Sequence, residues 1–437
     1  MHSAISTDTS ARARRKIGRR ILPFLALLYI VAYLDRANVA FANVSMRANL
    51  GFNEAVFGFG AGIFFAGYFL LEIPGALIVE RWSARRWLAR IIVSWGLCTI
   101  LVGLINTPKQ FYTARFLLGA AEAGFFPGVI VYLTHWFREQ DRARALAGFV
   151  SAAPVALLIG APLSGLILQL DWWGIPEWRW LFILQGIPAV ILGVVTLFYL
   201  TDHPRDARWL RPDERAWVSD ALEQEREAKR GSHSQRWWHA ALNRDVLLLT
   251  AAHFSANLAG YGFILWLPHT LQVGAGFGLM VSSFIAALPF AAAIFGVVLN
   301  GRSSDRRRER KGHACAAFVA AALFLIVAAV PGQSARATVG ALTLTGAAAF
   351  AWIPPFWSLP TATLGKSSAA AAVGLINSVG NLGGFVGPFG VGWLLTMGWT
   401  PGAATGILAL AYLAAAVLTG FVRAVPNTAE RTSHAAS

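Results

Sequence analysis

Twelve apolar stretches, each long enough to cross a bilayer, leave this chain few folds to choose from. Six fall near 21–43, 55–79, 87–105, 110–135, 145–169 and 179–201. Six more fall near 245–271, 279–300, 313–331, 337–360, 369–396 and 400–423. A helix needs about 20 apolar residues to span the roughly 30 Å of bilayer hydrocarbon. Inside lipid every backbone N–H and C=O must be paired within the protein, so runs of this length read as helices. Composition agrees: 56% of the 437 residues are hydrophobic and 14% charged, where soluble domains carry about 25% charged residues. The expected fold is an all-α integral membrane protein of twelve transmembrane helices in two pseudo-symmetric six-helix halves. The expected organisation is a tail at 1–20, a first half at 21–201, a central loop at 202–244, a second half at 245–423 and a tail at 424–437.

The net charge of +15 does not point to nucleic acid, because Lys and Arg sit in short clusters between apolar runs, as topology signals do. Of the 37 Lys and Arg, 31 fall on the side of the two termini, and only Arg47, Lys109, Arg179 and Arg336 fall on the other. The positive-inside rule then places both termini and the central loop in the cytoplasm. A polar, Arg-rich start without a small-residue cleavage site reads as a retained first helix. In the central loop acids alternate with bases, from Asp213 and Glu214 to Lys229 and Arg230. That pattern reads as a solvated linker that can carry an amphipathic helix at the membrane surface. Cys98 and Cys315 lie in apolar stretches without metal-ligand spacing, and read as buried small residues rather than a disulfide.

The two halves echo each other. The loop after the second apolar stretch runs from Ala76 through Glu80, Arg81, Arg85 and Arg86. The loop after the eighth runs from Gly301 through Asp305, Arg306, Glu309 and Arg310 to Lys311. Each has an acid followed by Arg and then more bases. Gly160-Ala161-Pro162 and Gly387-Pro388 repeat at nearly the same offset. Transporters often place a midplane site between such repeats.

The second loop, Gly-x-x-x-Asp-Arg with trailing bases, resembles the signature of the major facilitator superfamily. The first copy departs from it, with Ala76 for Gly, Glu80 for Asp and Ser83 where Gly is usual. Within that superfamily the chain looks like the anion:cation symporter family, whose members carry sugar acids, tartrate, phthalate, sialic acid or glutamate. The resemblance lies in Tyr33-Leu34-Asp35-Arg36-Ala37-Asn38, in Tyr68-Phe69-Leu70-Leu71-Glu72-Ile73-Pro74, in the run from Arg115 through Glu122 to Gly128, and in Trp178-Arg179-Trp180.

Ionisable groups at bilayer depth are costly, so each is a functional candidate. Away from the span ends these are the acids Asp35, Glu72 and Glu122 and the bases Arg36 and Arg115, all in the first half. The second half offers His253, Asn257, Ser358, Asn377, Ser378 and Asn381. Arg115 and Glu122 are seven apart, so they share a helix face about 10 Å apart along the axis. Arg suits a substrate carboxylate, because its planar fork donates two parallel hydrogen bonds. The resemblance implies proton coupling at Asp35 and Glu122, and anion binding at Arg36 and Arg115, with Tyr68 and Asn381 at the substrate. His253, Asn257 and Asn377 are further candidate contacts. Glu80, Arg81, Arg85, Gly301, Asp305, Arg306, Glu309 and Arg310 are the signature-loop set.

Each has a plainer reading. Asp35 and Arg36 also read as an interhelical ion pair, Glu72 as a structural support, Tyr68 as a packing aromatic and His253 as a core histidine. Asn377 and Asn381 also read as polar glue between helices.

No phosphate loop, His-Glu-x-x-His or Gly-x-Ser-x-Gly is present, so an enzyme is not expected, nor a metal or cofactor. The expectation is a monomeric secondary transporter in the inner membrane. It would take up a small organic anion, such as a sugar acid, tartrate or an aromatic acid, with a proton as the coupling ion. A uniporter, exchanger or exporter on the same fold is the alternative.

Overall fold

A computed structural model describes residues 2–229, 243–360 and 366–423. Among them every regular element is a helix. The first-half helices are α1 (His2–Leu50), α2 (Glu54–Arg81), α3 (Ala84–Val102), α4 (Pro108–Glu122), α5 (Phe125–Trp136), α6 (Glu139–Val150), α7 (Ala152–Ile167) and α8 (Glu177–Tyr199). The central loop contributes α9 (Pro212–Lys229). The rest are α10 (Arg244–His269), α11 (Leu279–Ile285), α12 (Ala287–Arg307), α13 (Lys311–Ala329), α14 (Ala335–Ala351), α15 (Ile353–Trp357), α16 (Lys366–Asn381), α17 (Gly383–Thr396), α18 (Pro401–Gly406) and α19 (Leu408–Gly420).

Ten helical spans among the described residues are long and apolar enough to cross a bilayer. The two other expected crossings are α3, which begins with Arg85, Arg86 and Arg90, and the α16–α17 pair, interrupted at Leu382. Polar residues cap the helix starts where the sequence turns. Asn53 accepts from the Val56 amide at 2.8 Å, Ser83 from Arg86 at 3.1 Å and Thr107 from Gln110 at 3.3 Å. Each cap satisfies an N–H that the first helical turn leaves without a partner.

The chain forms two compact units. The first holds Met1–His233, Ile264–Phe290 and Pro388–Pro401. The second holds Ser234–Phe263, Ala291–Gly387 and Gly402–Ser437. Hydrogen bonds between side chain and backbone join the later segments within the first unit. The Trp266 indole donates to the Pro388 carbonyl at 2.9 Å, and the Ala55 amide to the Thr396 hydroxyl at 3.0 Å.

Within the first unit α2 and α4 meet along small residues. A Cβ on Gly67 would lie 2.2 Å from the Phe116 carbonyl oxygen, and one on Gly119 would lie 1.9 Å from that of Phe64. Only glycine permits that approach, as small residues do generally between membrane helices. Within the second unit Gly383 and Gly387 do the same for α17 on α10, against the carbonyls of Phe254 and Leu258.

Two expectations change on the first unit's N-terminal side. Residues 2–20, read as a tail, continue α1 as helix. The described part of the central loop is docked by charge pairs and aromatic contacts, not a freely solvated linker. Arg12 pairs with Asp213 at 3.2 Å and Lys16 with Glu214 at 2.8 Å. Arg138 pairs with Glu225 at 3.4 Å, and Trp209 stacks on Trp136 with centroids 5.3 Å apart. Glu214 also accepts the Arg211 amide at 3.0 Å, which caps α9 at its first turn.

Burial alone would raise the Glu214 carboxyl, but the Lys16 ammonium and the Arg211 amide together hold it below the usual range. A depressed folded value sets the sign. The stabilisation is complete above the ordinary glutamate value of about 4.3. It is lost as pH falls through the lower folded value. Protection of the α9 amides, taken relative to the intrinsic exchange rate at each pH, therefore falls below about pH 4.3, and Glu214→Gln lowers it by about tenfold or more at neutral pH. Unchanged exchange in that variant refutes the role given to the buried carboxylate.

Candidate transport site

The first unit gathers its intramembrane charges onto three helices. Neighbouring residues on a helix point about 100° apart, so α1 sends Asp35 and Arg36 to different partners. Asp35, 3% exposed, accepts from the Asn38 amide at 2.9 Å and contacts the Thr99 hydroxyl of α3. Arg36 reaches α4 instead. Its Nε and Nη2 lie 2.7 and 2.6 Å from Glu122 Oε1. An Asp35–Arg36 pair, the plainer reading of those residues, is not what forms.

Thr99 carries a single proton between two oxygens. Its Oγ1 is 3.1 Å from the Trp95 carbonyl, which can only accept, and it also contacts Asp35. When Asp35 is ionised, Thr99 donates to it and releases the carbonyl. When Asp35 is protonated, Asp35 donates to Thr99 and Thr99 donates to Trp95. One hydroxyl rotation thus follows the charge state of the acid.

Arg115 is 1% exposed. Its Nη2 donates to the Ala61 carbonyl at 3.2 Å, while Nε and Nη1 have no acceptor among the described residues. It lies within electrostatic reach of Asp35 and Glu122 but pairs directly with neither. Glu122 Oε2 likewise has no donor among the described residues. Phe64 bridges the two arginines, with its ring centroid 5.1 Å from the Arg115 guanidinium and 5.6 Å from that of Arg36. Tyr68 and Tyr33 flank Arg36 at 5.1 and 5.3 Å. Such faces hold a cation without neutralising it.

The expected fourth crossing is broken at this point. After Glu122, Ala123 turns extended and Gly124 takes φ +85°, a left-handed conformation that suits glycine. A Cβ on Gly124 would also press on the Gly75 backbone at 3.1 Å. Glu122 therefore closes α4 at a break in the crossing, and discontinuous helices are a recurrent feature of transporter sites.

In the second unit, three of the candidate polar residues meet. The Asn257 amide donates to His253 Nε2 at 3.1 Å and to Asn381 Oδ1 at 3.4 Å. That network assigns the His253 proton to Nδ1, which has no acceptor among the described residues. His253 is buried against Phe356, Trp352 and Trp357, with centroids 5.0 to 5.7 Å away. Asn377 lies one turn before Asn381 on α16.

The signature loops are locally braced. In the first, the Arg85 amide donates to Asp202 at 2.9 Å, as does the Ser83 hydroxyl at 2.7 Å. The side chains of Glu80 and Arg81 lie outside the described residues. In the second, Arg310 pairs with Asp305, and Glu309 accepts the amides of Gly312 and His313 at 2.6 and 3.0 Å. Gly301 sits against Pro354, and Arg306 is exposed.

Thr99, Asn38, Phe64 and Tyr33 complete the site, although none of them is a candidate on sequence grounds. Asn38 carries a signal, since it stands three residues after Asp35 and so on the same face. Thr99 carries none, because only the packing of α3 on α1 brings it to Asp35.

Comparison with known proteins accounts for this architecture. The family model described as Major Facilitator Superfamily matches residues 25–388. A protein of Agrobacterium vitis, provisionally named a tartrate transporter, is 43% identical over 89% of this chain and 90% of its own. A quinolone resistance transporter of Acinetobacter baumannii is 39% identical over 94% of each. Among solved structures, a bacterial homolog of the human lysosomal transporter Spinster, inward-facing and unoccupied, superposes with a TM-score of 0.72. That likeness spans 93% of this chain and 95% of that one, at 18% identity, and so bears on fold alone. Charged groups buried in apolar helices, repeated halves and relatives that are transporters and not enzymes lead to one assignment: this chain is a multi-pass membrane transporter of the major facilitator superfamily.

Proposed function

We propose that the protein carries a small organic anion bearing a carboxylate, together with a proton, by alternating access across the inner membrane, with both termini cytoplasmic. The observation that carries this reading is the pair between Arg36 and the buried Glu122, in the same unit as Arg115, whose Nε and Nη1 have no acceptor among the described residues. Nε and Nη1 stand on different edges of the guanidinium, so each can donate separately to an oxygen of an anionic group such as a carboxylate. Protonating Glu122 releases Arg36 for the same anion, so proton and substrate bind together. Asp35 is the second proton site, read through Thr99. Tyr68 offers a further contact in the first unit. Taken by itself, the second unit's His253–Asn257–Asn381 cluster, with Asn377 one turn away on α16, is a set of polar groups suited to hydroxyls. The relative provisionally named for tartrate supports an organic acid as substrate. The distribution of Lys and Arg supports the orientation.

The test is thermal stability of the purified protein against a panel of organic acids at pH 5.5 and pH 8. A ligand that binds only the folded state raises the melting temperature by mass action. One carboxylate class is expected to stabilise, and more strongly at pH 5.5. Stabilisation by a cation or a neutral solute alone refutes the anion reading.

A further inference from the structure

We propose that the crevice between α1 and α6 binds the phosphate headgroup of an anionic membrane lipid. The crevice has a volume of about 320 Å³. Arg14, Gly18 and Leu22 line it from α1, and Phe137, Asp141 and Arg144 from the start of α6 and the residues before it. Arg14 pairs with Asp141. Arg144 is exposed and makes no ion pair among the described residues. Two guanidiniums against one carboxylate leave the crevice with one positive charge in excess, which a phosphodiester neutralises. The guanidinium fork fits phosphate oxygens as it fits carboxylates.

Depth selects the source of that phosphate. Along α1 the Arg-rich segment ends at Arg20 and the apolar run begins at Ile21. The crevice straddles that boundary, from Arg14 to Leu22. It therefore has a polar mouth and an apolar floor, as headgroup depth requires, and basic pockets beside membrane helices suit anionic headgroups. A free phosphate ion has no use for Leu22 and Phe137, whereas a lipid places its glycerol and first acyl carbons there. Gly18 keeps the crevice open: a Cβ built on it meets nothing within 4 Å. A side chain at that position starts out in open space. None of these residues belongs to the transport site.

The experiment is native mass spectrometry of the full-length protein in detergent, titrated with phosphatidylglycerol, phosphatidylcholine or inorganic phosphate. Wild type is compared with Arg144→Gln and Gly18→Leu. The expected result is a retained phosphatidylglycerol adduct in wild type that weakens at least about fivefold in each variant, with phosphatidylcholine retained poorly by all three. Each variant's melting temperature is read alongside. Should Gly18→Leu fold poorly, the exposed Arg144→Gln carries the test alone. Equal retention of phosphatidylglycerol by wild type and Arg144→Gln overturns the proposal, as does equal retention of the two lipids by wild type. Stabilisation by inorganic phosphate without a phosphatidylglycerol adduct also overturns it, by assigning the crevice to a soluble anion.

Discussion

Glu122→Gln is expected to abolish proton-driven accumulation of substrate while leaving counterflow exchange intact. The carboxylate holds Arg36 through Oε1, with both donors within 2.7 Å, and its side chain is 1% exposed. Glutamine keeps the shape of the protonated acid but cannot exchange a proton. Arg36 is then permanently available to a substrate anion, so the loaded carrier still forms and still exchanges label. What disappears is the link to the proton gradient, which for one coupled proton gives about tenfold accumulation per pH unit. Paired measurements in proteoliposomes decide it: accumulation against an imposed pH gradient, and exchange without one. Intact accumulation by the variant removes Glu122 from the coupling mechanism. Loss of both activities with a normal melting temperature assigns it to substrate binding.

Arg115→Met is expected to weaken substrate binding by at least about a hundredfold without destabilising the fold. The size follows from two charge-assisted hydrogen bonds, each contributing about 1.5–3 kcal/mol. The stability expectation follows from the packing. Arg115 is buried with two donors lacking acceptors among the described residues, and it makes no direct ion pair there. Replacing such a group with an apolar side chain of similar length relieves a desolvation cost, so the melting temperature stays level or rises. Arg115→Lys is not expected to restore binding, because a compact ammonium cannot place donors where both Nε and Nη1 stand. A structural anchor behaves in the opposite way, with a fallen melting temperature and near-normal affinity in the surviving protein. Substrate-induced shifts in melting temperature read both quantities from one titration.

The residues behind both expected results are legible in the amino-acid order. Asp35, Arg36, Arg115 and Glu122 stand out because a charge inside an apolar run is costly in lipid, whatever surrounds it. Their partners are not legible there. Helical spacing places Arg115 and Glu122 on one face, and they do face the same region. It does not say that Glu122 takes Arg36 from another helix, or that Asp35 turns to Thr99. The central loop shows the same limit. Its alternating charges read as solvated, yet Glu214 is buried because Lys16 and the Arg211 amide close over it. Mixed-sign sequence is compatible with solvent and with ion-paired docking alike, and only the geometry of α1 selects the second.

Lipid as the surrounding solvent, the number of expected crossings and the identity of the costly residues all follow from the order of amino acids. Those properties are sums over local composition and hydropathy, which a bilayer reads segment by segment. Which side chains meet, where the fourth crossing breaks at Ala123 and Gly124, and how the chain divides into two compact units follow only from the packed helices. These depend on how closely one backbone approaches another. That distance is set by pairs such as Gly119 against the Phe64 carbonyl, residues far apart in the chain whose fit no local pattern encodes.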